Sequence, residues 1–341
     1  MNLFTASLIL VALLLGSNQP ASAQSFDSYS LSMTLACPNN KPSTAFDVKE
    51  PFSHNSSYML LLTTSLIQGK VGEATRQMQE WGFKNTLLFG KDKAGYKGMV
   101  GEHTNFILVV YRGTITNQQK WADLAIGTVK APSLGVPGRI HRGFRDEFKN
   151  LRKEVEPILS SFATEEKPII MVGHSLGGAL ANLTAAWWVA KGHVAPYLVT
   201  FGQPRVGDEE FSQWFTRTMD KRFFRVIHKK DIVPWVPPSK QAAPVFANLI
   251  KEGLDRPRAA VAKLFTKLGY DFHRSPQLHL LGDGLLQNRS KPNISDEVNY
   301  WQETQKEIHW PGSLAKWLKS LQPPLTEHVP DAYICSYHKI F

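Results

Sequence analysis

Residues 167–178, Lys-Pro-Ile-Ile-Met-Val-Gly-His-Ser-Leu-Gly-Gly, join an apolar run to a helix-compatible run, 179–189, through a serine bracketed by glycines. This spacing puts Ser175 at a strand-to-helix corner too tight for side chains at Gly173 and Gly177. It is the context in which G-x-S-x-G reads as a nucleophile elbow. A turn this sharp forces the serine into a strained backbone conformation and lifts its hydroxyl clear of the sheet edge. The N–H of Leu176 and the start of the next helix then face whatever oxygen the serine attacks. The five-residue pattern alone also fits an ordinary glycine-bounded loop. The strand before it and the helix after it give it weight.

Four apolar β-like runs follow one another at 106–111, 169–173, 197–202 and 223–228, with helical patterns at 144–162, 179–191 and 209–218 filling the three intervals between them. Strands that are nearly all apolar, spaced by helix-length segments, imply a central, mainly parallel sheet covered on both faces. The expected architecture is a three-layer α/β fold, uninterrupted by repeats or low-complexity tracts. A chain of 341 residues, 43% apolar and 20% charged, has enough material for one large core and is too polar for a membrane protein.

Residues 3–15 are almost all apolar and are followed by Ala21-Ser22-Ala23. The run is short of the ~20 residues a bilayer requires, so it reads as a secretory signal peptide cleaved after Ala23, although no Lys or Arg precedes it. The mature protein, 24–341, is expected to be secreted. The two cysteines, Cys37 and Cys335, stand near opposite ends of that mature chain. In an oxidising compartment one bridge between them is expected, worth about 5 kcal/mol on the loop-entropy account. The sequons at Asn55, Asn288 and Asn293 fit a glycosylated surface; the one at Asn182 falls on the helix after the elbow, where the fold is expected to hide it. The net charge of +10 permits attraction to anionic lipid surfaces and equally to nucleic acid. No nucleic-acid reader motif accompanies it, so peripheral contact with lipid is the retained expectation.

A serine nucleophile needs a base, an orienting acid and oxyanion donors. The acid is expected after a later strand, and two residues qualify: Asp231, three residues beyond the run ending at His228, and Asp208, in Gly-Gln-Pro-Arg-Val-Gly-Asp after the third run. In the chain order Ser, Asp, His the base lies downstream, where His273, His279, His309, His328 and His338 are candidates.

Tyr111-Arg112-Gly113-Thr114, His141-Arg142-Gly143-Phe144, the elbow itself, Gly202-Gln203-Pro204-Arg205-Val206-Gly207 and Asp231-Ile232-Val233-Pro234 occur in that order across 106–238. In this series the chain resembles the class 3 lipases, the filamentous-fungus triacylglycerol lipase family, with weaker similarity from His279 to the end. The resemblance implies an α/β-hydrolase fold. It also implies Ser175 as nucleophile, Asp231 as acid, and His328 as base, since His328 stands shortly before the aromatic Tyr333. The first oxyanion donor falls on Thr114 and the second on the N–H of Leu176. Asp208 is left with a structural role, capping the helix that begins at Glu209.

The family also places a short amphipathic lid after the first strand, matching 115–124, with Trp121 and Leu124 as its apolar residues; one apolar residue of the usual pattern is missing after Trp121. The segment 239–275 is longer than its family counterpart and reads as an insertion. Within it Val261, Leu264, Phe265 and Leu268 recur at helical spacing, as do Leu314, Trp317, Leu318 and Leu321 later. Such stripes usually pack into a core, and the alternative is a basic helix lying on a lipid surface. The expected function is hydrolysis of carboxylic esters of lipids at a lipid–water interface, with triacylglycerol lipase as the first reading. A phospholipase A1 or other carboxylesterase is the second, and a non-catalytic lipid-binding or yolk-type protein the reading from another class. The chemistry requires no metal or organic cofactor.

Overall fold

The structure, a computed structural model, describes residues 54–67, 71–93, 95–113, 127–162, 167–228, 231–249, 262–263, 266–267, 277–282, 285–289, 294–307 and 333–335. Two helices, α1 (His54–Leu66) and α2 (Val71–Glu80), precede a hairpin of β1 (Asn85–Asp92) and β2 (Gly95–Glu102). Then follow β3 (Ile107–Tyr111), a two-stranded ribbon of β4 (Thr128–Lys130) and β5 (Arg139–His141), α3 (Arg142–Phe162), β6 (Ile169–His174), α4 (Leu176–Ala190), β7 (Tyr197–Phe201), α5 (Glu209–Met219) and β8 (Phe223–His228). The last elements are α6 (Ala243–Leu249), β9 (Gln277–Gly282), β10 (Leu285–Arg289) and α7 (Ile294–Glu307).

The main sheet runs β1-β2-β3-β6-β7-β8-β9-β10, with β3, β6, β7, β8 and β9 mutually parallel and antiparallel pairings at both margins. It is the central, mainly parallel sheet of an α/β-hydrolase fold, as expected. The four runs legible in the sequence are its central strands, and β3, β6 and β8 are buried at every position.

Alternation along these strands explains why an unbroken apolar run is needed: successive side chains serve opposite cores. Ile107, Val109 and Tyr111 join Ile169 and Met171 under α3 and α4. Leu108, Val110, Ile170, Val172, Val199 and Phe201 face the other way, against Tyr58, Met59, Leu60, Leu61 and Leu62 of α1. Helix α3 presents Phe144, Phe148, Leu151, Val155 and Leu159, one stripe at spacings of three and four, and keeps its other faces polar. Helix α4, immediately after the elbow, is apolar on all sides and buried from Gly177 to Trp188.

Asn182 is fully buried in α4, which agrees with the expectation that the fold hides its sequon. The segment expected as an insertion is core material where it begins: Ser239, Ala242, Ala243, Phe246 and Ala247 are buried, and Phe246 packs edge-on against Trp301 of α7 at 4.8 Å. The stripe 261–268 lies outside the described residues except at Ala262, Lys263, Thr266 and Lys267, and both lysines are exposed. The leader, Cys37, the stripe 314–321 and the sequon at Asn293 also lie outside them. Among the described residues no helix is long and apolar enough to cross a membrane.

Candidate active site

Ser175 occupies the one-residue corner between β6 and α4 with φ 58° and ψ −126°. This left-handed conformation costs an L-residue on the order of 1–3 kcal/mol and persists only where the surroundings impose it. They do so here through glycines. A Cβ on Gly173 would lie 2.2 Å from the carbonyl carbon of Gly177, and a Cβ on Gly177 would lie 2.2 Å from the carbonyl oxygen of Tyr111. The corner is pinned by the Ser175 N–H, which donates to the Phe201 carbonyl at 2.9 Å. Leu176 is the first residue of α4, so its N–H has no acceptor within the helix and stands beside the serine with the positive end of the helix dipole.

Ser175 is only 4% exposed, so the corner that carries its hydroxyl is covered in the folded chain. Part of the cover comes from the end of β3: a Cβ on Gly113 would lie 3.1 Å from the His174 carbonyl and 3.5 Å from the Ser175 Cβ. A side chain there would be tighter than an ordinary contact, so glycine eases the approach that brings the residue preceding Thr114 against the elbow. Arg112, also buried, anchors that strand end through an ion pair with Asp92 at 3.0 Å, and its backbone N–H donates to the Lys97 carbonyl at 2.8 Å.

Asp231 is fully buried just beyond β8. Its Oδ1 accepts the Val233 N–H at 2.8 Å and its Oδ2 accepts the Tyr333 hydroxyl at 2.5 Å. Tyr333 in turn accepts the His228 N–H at 3.1 Å. Burial, then the Asp231 charge, then the bond to Asp231 push the phenol well above its ordinary range, so it stays a neutral donor. Asp208 has the capping role: its Oδ1 accepts the Phe211 N–H at 3.1 Å at the start of α5.

In the sequence Tyr333 stands out only by its place shortly after His328, and no local signal marks its bond to an acid 102 residues earlier. Its ring forms a hub, edge-on to His174 at 5.8 Å and to Phe201 at 6.4 Å, and tilted against His228 at 5.4 Å. The elbow and the acid are therefore joined through one aromatic residue. Of the other expected residues, His328, Thr114, Trp121 and Leu124 lie outside the described residues, as do His273, His309 and His338, while His279 sits on β9.

His141, in another of the motifs, is structural. Burial pushes its imidazole down to about 3, its Nδ1 accepts the Phe144 N–H at 3.3 Å, and its ring stacks on Phe144 at 4.0 Å. Among the described residues no group of three or more His, Cys, Asp or Glu is arranged to hold a metal ion.

A strained serine beside helix-start N–H groups, a glycine-lined approach from β3 and a buried, multiply hydrogen-bonded carboxylate after β8 are parts that acyl transfer requires. The family model described as Lipase (class 3) matches residues 108–241, the stretch that holds all of these except Tyr333. Phospholipase A1-II 4 of Oryza sativa subsp. japonica is 32% identical over 158 residues, covering 39% of this chain and 40% of its own length. A lipase of Rhizomucor miehei is 32% identical over 145 residues, covering 41% and 39%. The chain thus spans about two fifths of the length of these relatives. The crystal structure of the Lip2 lipase from Yarrowia lipolytica superimposes with a TM-score of 0.52 at 19% identity, over 78% of this chain and 93% of that one, a likeness of fold. Residues 108–241 are thus similar to the class 3 lipases, and the chain that carries them has an α/β-hydrolase fold.

Proposed function

We propose that this protein is a serine hydrolase that cleaves carboxylic esters of lipids, with triacylglycerol as its first substrate class. The observation that carries the reading is the conformation of Ser175, a non-glycine residue held at positive φ where strand β6 turns into α4 and where Gly113 comes within contact distance. Strain of this kind is retained at sites that use it. In the proposed cycle His328 takes the Ser175 proton as the oxygen attacks the ester carbonyl, and Asp231 holds the imidazole in the working tautomer. Thr114 and the Leu176 N–H stabilise the oxyanion, each worth about 3 kcal/mol. The protonated imidazole gives its proton to the leaving alcohol, and water then resolves the acyl-enzyme through the same histidine.

The burial of Ser175 supports a covered acyl site. Residues 115–124, with Trp121 and Leu124, are the proposed cover, which opens at a lipid–water interface. Secretion after cleavage at Ala23 and a Cys37–Cys335 bridge belong to the same reading. The bridge is supported by Cys335, which packs half-buried against the core beside Tyr333, and by the finding that no cysteine among the described residues is a free thiol. Phospholipase A1 is the second reading, favoured by the relative of that name at 32% identity.

A fluorophosphonate probe tests the reaction class. Labelling of the wild-type chain and none of Ser175→Ala is expected, and an unlabelled, folded wild type would point to the non-catalytic lipid-binding reading. Rates on triglyceride emulsion, phospholipid vesicles and a soluble short-chain ester then separate lipase, phospholipase and esterase. His328→Ala is expected to lose nearly as much activity as Ser175→Ala, with the double variant hardly lower, because triad members act as a unit. If His273, His279, His309 or His338 silences the enzyme instead, the base is that residue.

A further inference from the structure

The loop that carries Asp231 has one short helical turn, Val233–Trp235, yet every residue from 231 to 239 is buried. Its shape is imposed from outside by two buried arginines, each 1% exposed. Four consecutive carbonyls are held in this way. Arg225 Nη2 donates to Pro234 O at 2.8 Å and to Gln203 O at 2.6 Å. Arg205 Nη1 donates to Trp235 O at 2.6 Å and to Pro237 O, and the Arg205 backbone N–H donates to Val236 O at 3.1 Å. Where the loop ends, the Ser239 N–H donates to Glu297 Oε1 of α7 at 3.0 Å. The same oxygen forms an ion pair with Arg205 Nη2 at 2.8 Å, with both side chains fully buried.

Two guanidiniums are a costly way to hold carbonyls, because desolvating each charge costs several kcal/mol unless an opposite charge is close. The buried groups supply a balance of two cations, Arg205 and Arg225, against two carboxylates, Glu297 and Asp231. Glu297 is in direct contact with Arg205. That leaves Arg225 as the cation balanced by Asp231, and the two interact electrostatically. Burial and the Arg205 charge push the Arg225 guanidinium down to about 9, against the opposing pull of Tyr333, Asp231 and Glu297, so it remains protonated at neutral pH. The other groups around Asp231 are Tyr333, neutral throughout this range, and His228 and His174, whose rings pack on Tyr333.

We propose that Arg225 and the Arg205–Glu297 pair are positioning residues for the hydrolytic site: they hold the acid loop against α7 and set the charge that the base beside Asp231 experiences. This rests on the hydrolase reading above. A nearby cation disfavours the protonated imidazole and a nearby carboxylate favours it, so the two components act on the base with opposite sign. Loss of the Arg225 charge raises the midpoint of the acid limb of the rate profile, and loss of the Glu297 charge lowers it.

The test measures kcat and KM of the full chain on a soluble short-chain ester from pH 4 to 9. Arg225→Met is expected to raise the acid midpoint by roughly half to one unit and Glu297→Gln to lower it by a similar amount. The double variant returns close to the wild-type midpoint, Arg225→Lys leaves it in place, and in each single variant kcat falls while KM holds. Midpoints that stay fixed, or move in the same direction, in variants that fold and label with the fluorophosphonate would overturn the proposal. If the single variants do not fold, the charge-balanced double variant decides. Its failure to fold as well gives the cluster a purely structural role and also overturns the proposal. A wild-type protein that neither hydrolyses the ester nor labels at Ser175 refutes the hydrolase reading itself, an outcome separate from these.

Discussion

The hydroxyl of Tyr333 donates to Oδ2 of Asp231 at 2.5 Å while accepting the backbone N–H of His228, so one phenol ties the C-terminal segment to the strand end that carries the acid. Tyr333→Phe removes this donor and leaves a buried carboxylate oxygen with one bond fewer. The expected loss in stability is about 1–3 kcal/mol. On a soluble ester, kcat is expected to fall roughly tenfold with KM unchanged, because the acid loses its orientation while the substrate groove is untouched. Urea unfolding together with steady-state kinetics checks both parts. A variant as stable and as active as the wild type would show that the Val233 N–H and the surrounding loop suffice to hold Asp231.

Strain at Ser175 leads to a comparison between two inactive variants. Alanine must keep φ near 58° at a cost, whereas glycine reaches that region freely. Both variants are expected to lose on the order of a millionfold in turnover. Ser175→Gly is nonetheless expected to be at least as stable as Ser175→Ala, by up to about 1 kcal/mol, despite the greater freedom glycine gives the unfolded chain. Thermal unfolding of the pair is the measurement. A glycine variant clearly less stable than the alanine variant would mean that the corner carries little strain.

What was legible in the sequence had a local cause. β3, β6, β7 and β8 are apolar at nearly every position because each strand serves two cores, and the elbow announces itself through glycines that sterics require. The hairpin of β1 and β2 was not read because its apolar content is spread between the strands. Gly98 and Gly101 interrupt β2, yet a Cβ on Gly98 would lie 1.9 Å from Phe89 and one on Gly101 would lie 2.8 Å from Phe83. Each glycine is the space for an aromatic ring elsewhere in the chain, and neither half of such a pair signals the other. The Arg205–Glu297 contact was hidden for the same reason, since it joins a loop after β7 to a helix that begins at Ile294.

His141 gives the fold a pH dependence separate from the chemistry. Its folded pKa, about 3, lies below the ordinary value near 6.5, so the unfolded chain takes up a proton that the folded chain refuses. The neutral ring contributes its full share of stability above pH 6.5, and that share declines as pH falls from there towards 3. Between pH 6.5 and 5 the loss from this one group is on the order of 2 kcal/mol. His141→Gln is expected to be less stable at pH 7 through lost stacking on Phe144, and to show a flatter decline between pH 6.5 and 5. An unchanged slope in urea titrations at the two pH values would mean that the ring can be protonated in the folded state.

The last expectation concerns the proposed cover at 115–124. Ser175 is 4% exposed, and an acyl chain needs an apolar groove that is costly to present to water. If Trp121 seals that groove and meets lipid when the cover opens, Trp121→Ser weakens turnover of emulsified long-chain triglyceride at least tenfold. Turnover of a soluble short-chain ester falls by less than twofold, because the elbow, Asp231 and the Leu176 N–H are not altered. The contrast is the readout, since damage to the loop beside Gly113 would displace the oxyanion donor and reduce both rates together. Equal losses would therefore assign Trp121 to the support of Thr114 and remove the case for a movable cover.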